Sequence, residues 1–153
     1  MKELQGSAST EIELPPEDCF ALLASIDLYP GWFEVVRDVE VLEREPGGLP
    51  SLARVELHVP QSPFGTEFSF TVAVHANHPE SMRFVKLADG PADRDRLEIS
   101  WRMRENAVTE IDFEFDAAMS FVPGYLPVGS VGDAIAEAIL GAATNAFVAD
   151  GRR

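Results

Sequence analysis

The sequence predicts an α+β fold in which a curved, seven-stranded antiparallel sheet wraps around one long C-terminal helix. Seven stretches alternate between apolar and polar residues, as expected of strands that are buried on one face only. Most of the turns between them are short, which requires neighbouring strands to run antiparallel. Only two helical segments are available to cover the apolar face of such a sheet.

The first strand is predicted within residues 4–14. Residues 15–18 (Pro-Pro-Glu-Asp) then open a helix that runs to Ile26, because proline is tolerated in the first turn and acidic side chains favour the positive helix end. Residues 27–33 interrupt this helix and leave room for a second short one. The other six strands are predicted at 34–45, 51–59, 64–76, 81–87, 95–104 and 110–117.

The last element is a helix predicted over residues 130–148, with Ser130 as its N-cap. At about 100° per residue, Asp133, Glu137 and Thr144 share one narrow polar stripe, and most of the remaining helix surface is apolar. Because the face predicted to be buried consists mostly of Ala and Gly, we expect the helix either to lie close to the sheet or to leave a void beneath it. The face predicted to be buried comprises Val131, Ile135, Ala138, Ile139, Ala142 and Ala146, widened by Leu140, Ala143 and Phe147.

Composition limits the classes of function. The 153 residues suffice for one domain, predicted as 1–153, and the net charge of −14 argues against binding to nucleic acid. No run of about 18 apolar residues is present, which predicts no membrane insertion. The N-terminus lacks the apolar core of a signal peptide, so we expect a cytoplasmic protein. Cys19 lies among apolar neighbours and is predicted to be a buried thiol. The oligomeric state is left open.

The apolar strand faces predict a cavity between sheet and helix that binds an apolar small molecule. The alternative is that aromatic side chains fill this space. The residues predicted to form the wall are Phe68, Phe70, Val72, Ile99, Trp101, Phe113 and Phe115, roofed by Ile135, Ile139 and Ala142.

A few polar side chains are candidates for ligand contact or catalysis. Strand parity turns Thr10 and Arg37 inward, and Arg37 could meet a ligand carboxylate or carbonyl. The alternatives for Arg37 are a bulge that turns it outward or a shallow position near the sheet edge. Tyr29, Trp32 and Tyr125 lie in loops, where they could gate entry or merely cap the core.

No metal, cofactor or nucleophilic triad is predicted. His58 and His75 fall on outer strand faces and His78 lies in a turn, so they do not converge on a metal. The acidic residues within 110–116 form a solvated outer face. The serines lack an inward histidine partner, and no P-loop or dinucleotide fingerprint is present.

The order of elements resembles the helix-grip domains of the START and polyketide cyclase/dehydrase (SRPBCC) superfamily. Residues 12–32 read I-E-L-P-P-E-D-C-F-A-L-L-A-S-I-D-L-Y-P-G-W. They are similar to the first strand, the proline-initiated helix and the Tyr-Pro-x-Trp turn of that superfamily. Residues 87–91 (L-A-D-G-P) and 111–115 (I-D-F-E-F) are similar to the coenzyme Q-binding and ribosome-association-toxin branch. The resemblance implies a cavity for lipids, quinones or aromatic polyketides, with Tyr29 and Trp32 at its mouth and no shared catalytic triad.

Three hypotheses follow, in this order. The first is a binding protein for a quinone, lipid or polyketide. The second is a polyketide cyclase or dehydratase, for which Arg37, Thr10 and Tyr125 are the only candidate groups. The third is a protein-interaction module like the toxin branch, which would contact basic ribosomal proteins rather than RNA.

Overall fold

The computed structural model describes residues 3–58, 67–118 and 131–150 of the chain. Within them, the predicted seven-stranded antiparallel sheet and long C-terminal helix are confirmed, and the interruption after the first helix is a short 3₁₀-helix. The predicted N-cap, Ser130, lies outside the described residues. The elements are β1 (Leu4–Ile12), α1 (Pro16–Ala24), the 3₁₀-helix (Ile26–Gly31), β2 (Val36–Arg44), β3 (Pro50–His58), β4 (Glu67–Asn77), β5 (Ser81–Lys86), β6 (Arg96–Asn106), β7 (Val108–Ala118) and α2 (Val131–Asp150).

The strands form one sheet in the order β1-β7-β6-β5-β4-β3-β2, so β1 and β2 are its edges. Side chains alternate between the two faces because successive residues of a strand point in opposite directions. Cross-strand pairing places Met82 beside Trp101 and Trp101 beside Phe113, all of them buried. These three side chains therefore form a continuous apolar stretch across the inner face of the sheet.

Helix α1 and the 3₁₀-helix cover one end of this face. Pro16 begins α1, whose side chains Cys19, Phe20 and Leu23 are fully buried. The Tyr29 hydroxyl donates a hydrogen bond of 2.6 Å to the Leu23 carbonyl oxygen, one of the acceptors left unsatisfied at a helix C-terminus. This bond fixes the 3₁₀-helix against the end of α1.

Helix α2 packs mainly against the edge strand β1. Its first turn touches β1 backbone to backbone: a Cβ built on Gly132 would lie 1.7 Å from the Gln5 carbonyl oxygen, and one on Gly6 would lie 2.0 Å from the Gly132 carbonyl oxygen. Asp133 Oδ1 also accepts a hydrogen bond of 3.1 Å from the Ser7 N–H. The helix is thus anchored at one edge of the sheet rather than over its centre.

The prediction for the buried face of α2 is wrong in part. The buried stripe is Gly132, Ala136, Leu140, Ala143 and Phe147, whereas Ala138 is exposed and Ile135 is 37% exposed. Because apolar side chains cover most of the surface of α2, their periodicity does not determine which side of the helix packs against the sheet.

By length and composition, α2 could also cross a membrane. Its mean hydropathy over Val131–Ala149 is 1.3, and 28% of that stretch is buried in the structure. The core helix of a soluble protein can have the same length and composition. The prediction of no membrane insertion therefore stays a prediction.

Candidate functional site

A cavity of about 330 Å³ lies between the inner face of the sheet, the 3₁₀-helix and α2. Every described residue that lines it is aliphatic or aromatic. They are Leu4, Ile26, Tyr29, Phe33, Val35, Val36, Val55, Leu57, Phe70, Val72, Phe84, Leu97, Ile99, Trp101, Phe113, Phe115, Ala117, Ile135 and Ile139.

No polar atom of the described wall contributes to the cavity surface. Two lining side chains carry a polar atom. The Tyr29 hydroxyl is bonded to the Leu23 carbonyl, and the buried Nε1 of Trp101 has no hydrogen-bond partner among the described residues. Burial of the hydroxyl raises the pKa of Tyr29 well above its usual value of 10. The Tyr29 hydroxyl therefore stays neutral at ordinary pH.

Aromatic rings form much of the wall and pack at inclined angles. Tyr29 and Phe84 have ring centroids 5.8 Å apart at an interplanar angle of 79°, and Trp101 and Phe113 lie 4.5 Å apart at 52°. Such edge-to-face and tilted arrangements are the favoured geometries for aromatic pairs. Packed aromatic pairs therefore form part of the wall beside its aliphatic side chains.

The structure brings nine of the predicted ligand-binding residues together in this wall. Phe68 and Ala142 are half-buried, but they are not part of the wall. Whether the nine bind a ligand stays a prediction. They are Tyr29, Phe70, Val72, Ile99, Trp101, Phe113, Phe115, Ile135 and Ile139.

The inward orientation predicted for Arg37 is wrong. The pairing of β2 with β3 shifts between Val36 and Asp38, so Arg37 occupies a β-bulge. Its side chain is 57% exposed and forms an ion pair with Glu67 on the outside of the sheet. The bulge considered as an alternative is therefore the arrangement found, and Val36 takes the inward position.

The other polar candidates are also absent from the described wall. Thr10 has the inward parity of Ile12 and is half-buried, but it does not line the cavity. Trp32 packs against Tyr29 with ring centroids 4.5 Å apart and lies beside the cavity rather than in it. Tyr125 lies outside the described residues. None of these three side chains therefore adds a polar atom to the described wall.

Sequence reasoning missed ten lining residues. A usable signal existed for five of them, because the alternation of the predicted strands places Val35, Val55, Leu57, Leu97 and Ala117 on apolar faces. Phe84 was obscured because Lys86, two residues later, also points inward and breaks the apolar pattern of β5. The ten are Leu4, Ile26, Phe33, Val35, Val36, Val55, Leu57, Phe84, Leu97 and Ala117.

Lys86 is an inward-facing charge outside the cavity wall. Its side chain is 3% exposed and forms an ion pair with Asp93, which is 16% exposed. The hydrogen bond from Lys86, together with those from the backbone N–H groups of Asp89 and Asp95, lowers the pKa of Asp93 from 3.8 to about 2. This pair fixes the segment after β5 and compensates the charge of Lys86.

Metal and thiol chemistry also find no support among the described residues. None of them form a cluster of three or more metal-ligating side chains. Cys19 is fully buried, and burial, with a smaller effect of Asp18, raises its pKa from 9.0 to about 11. The prediction that Cys19 is buried is confirmed, and its thiol stays protonated at neutral pH.

An antiparallel sheet that holds a long C-terminal helix across its apolar face defines a START-like, helix-grip domain. The chain belongs to the family described as "Polyketide cyclase / dehydrase and lipid transport", which it matches over residues 12–144. A comparison with curated proteins finds no significant match. The finer prediction of a coenzyme Q-binding or toxin branch stays a prediction.

Solved structures show the same fold at low sequence identity. A START superfamily protein from Mycobacterium smegmatis is 18% identical, with a TM-score of 0.67 over 97% of this chain and 95% of that one. The Zhui aromatase/cyclase from Streptomyces sp. R1128 is 19% identical, with a TM-score of 0.62 over 97% and 89%. A major latex-like protein from Panax ginseng is 12% identical, with a TM-score of 0.65 over 97% of both chains. These likenesses establish the fold alone.

Proposed function

We propose that this protein binds an apolar small molecule in the cavity without transforming it. The observation that carries the proposal is a cavity of about 330 Å³ whose described wall exposes no polar atom. Ligand sites typically occupy about 300–1,000 Å³ and are lined mainly by apolar side chains. Burial of a ligand here would be favoured by roughly 25 cal/mol for each Å² of apolar surface removed from water.

A polyketide cyclase or dehydratase is the second candidate, because the family description names such enzymes. Their chemistry requires an acid, a base or a hydrogen-bond donor within reach of the reacting carbonyl. Arg37 points outward, Thr10 is not in the wall and the Tyr29 hydroxyl is committed to Leu23. The described wall therefore supports binding better than catalysis. Nothing in the described residues favours the third hypothesis, a protein-interaction module.

The test is uptake of the apolar fluorescent probe N-phenyl-1-naphthylamine, with stoichiometry measured by native mass spectrometry. Ile139 lines the cavity, so Ile139→Trp should fill part of it and weaken probe binding at least about tenfold, as expected of overpacking. Ala138→Trp is the matched control, because Ala138 is the exposed neighbour on the same helix. Circular dichroism and thermal unfolding establish that both variants fold.

Two outcomes would contradict the proposal. One is a wild-type protein that binds no probe. The other is equal probe affinity in folded Ile139→Trp and in Ala138→Trp, which would place the probe elsewhere. Turnover of a poly-β-keto substrate by the wild-type protein would instead favour the cyclase.

A further inference from the structure

We infer that the natural ligand buries a compact aromatic hydrocarbon core of two or three fused rings that carries no hydrogen-bonding group. This inference rests on the proposed function, since it concerns the occupant of the same cavity. Three properties of the described wall carry it: its volume, its lack of available polar atoms and its aromatic lining.

The volume limits the size of the core. Cavities of about 150 Å³ lined by Leu, Ile and Phe stay dry and take up benzene. The cavity here, at about 330 Å³, is roughly twice that size. It therefore accommodates two or three fused rings, but not the whole of a long isoprenoid tail.

The polarity of the wall limits the chemistry of the core. The Tyr29 hydroxyl is bonded to Leu23, and neither this oxygen nor Trp101 Nε1 contributes to the cavity surface. A hydroxyl or carbonyl buried against the described wall would lose its hydrogen bonds to water without replacement from these residues, which weakens binding by roughly five- to 150-fold per group. A poly-β-keto chain carries a carbonyl on every second carbon, so this wall selects strongly against it.

The aromatic lining favours rings over chains. Seven of the nineteen lining residues are aromatic. These rings do not lie parallel to one another, as the Trp101–Phe113 pair at an interplanar angle of 52° illustrates. Edge-to-face and offset contacts with a planar aromatic ligand add to the free energy of area burial, whereas a flexible alkane also loses conformational entropy on binding.

The experiment compares three competitors for the N-phenyl-1-naphthylamine site of the wild-type protein: naphthalene, 2-naphthol and decane. We expect naphthalene to bind at least about fivefold more tightly than 2-naphthol, which differs by one hydroxyl. We also expect naphthalene to bind more tightly than decane. Trp101→Phe removes Nε1 and keeps a ring, so in the folded variant the ratio of the two naphthyl affinities should not change.

Each other outcome has a defined meaning. If 2-naphthol binds as tightly as naphthalene, or if Trp101→Phe weakens 2-naphthol alone, the wall offers a hydrogen-bond partner and the inference is wrong while the proposed function stands. If decane binds best, the preference for rings is wrong. If neither the probe nor any competitor binds, the proposed function itself fails.

Discussion

Replacing Gly132 with alanine should detach the start of α2 from β1. The new Cβ would lie 1.7 Å from the Gln5 carbonyl oxygen and 2.6 Å from its carbon, and backbone atoms cannot rotate out of the way. Overpacking of this kind costs about 1–3 kcal/mol, and a contact this short belongs at the upper end. Alanine recovers at most about 1 kcal/mol through its higher helix propensity. We therefore expect Gly132→Ala to lower the free energy of unfolding by about 2 kcal/mol.

Gly141→Ala is the matched control, because it makes the same change in the same helix at a position where no neighbouring atom of the described residues lies within 4 Å of the new Cβ. There the propensity gain of about 1 kcal/mol should appear unopposed. The two variants should differ by about 3 kcal/mol, which separates their thermal midpoints by roughly 6–12 °C for a chain of this length. Thermal and urea unfolding followed by circular dichroism measure this difference. Equal stability of the two variants would refute the backbone contact between α2 and β1.

Three further predictions concern buried groups. Asp93→Asn should lower the urea midpoint at pH 7, because it leaves Lys86 without its ion-pair partner. The pKa of Asp93 is lowered to about 2, so the stability that its carboxylate contributes is complete above about pH 4 and is lost as the pH falls through 2. Urea titrations of the wild-type protein and the variant should therefore converge at that low pH. Tyr29→Phe should lower the free energy of unfolding measured in urea by about 1–2 kcal/mol, because it leaves the Leu23 carbonyl without a hydrogen-bond donor. The raised pKa of Tyr29 also predicts that the stability of the wild-type protein falls as the pH rises above about 10. The Cys19 thiol, with a pKa of about 11 and no exposure, should resist iodoacetamide in the native state and react at once in urea.

Each has an outcome that would contradict it. An Asp93→Asn variant as stable as wild type at pH 7 would show that the ion pair contributes nothing. An absorbance titration in which native Tyr29 ionises near pH 10 would contradict its burial. Alkylation of Cys19 at equal rates with and without urea would show that the thiol is accessible in the native state.

Much of the sheet and of the wall could be predicted because strand alternation has a period of two. Phe113 and Phe115 lie inward as their parity requires, and Trp101 pairs beside Phe113. The pattern failed where one residue broke the period. The bulge at Arg37 turns that side chain outward, and the inward charge of Lys86 hides Phe84. Apolar periodicity alone does not reveal that a strand contains a bulge, or that an ion pair compensates an inward charge.

The sequence left two roles open for the small residues of α2, close packing on the sheet or a void beneath the helix, and at β1 the structure shows close packing. Gly132 allows the helix to touch the edge strand β1, and the small side chains of Ala136 and Ala143 are fully buried on that same packed face. The side chains that α2 turns toward the cavity are instead the large ones, Ile135 and Ile139. The cavity therefore arises because close packing at one edge holds the helix away from the centre of the sheet. Enlarging the residues that contact β1 should change the position of the helix, whereas enlarging Ile139 should change only the space available to a ligand.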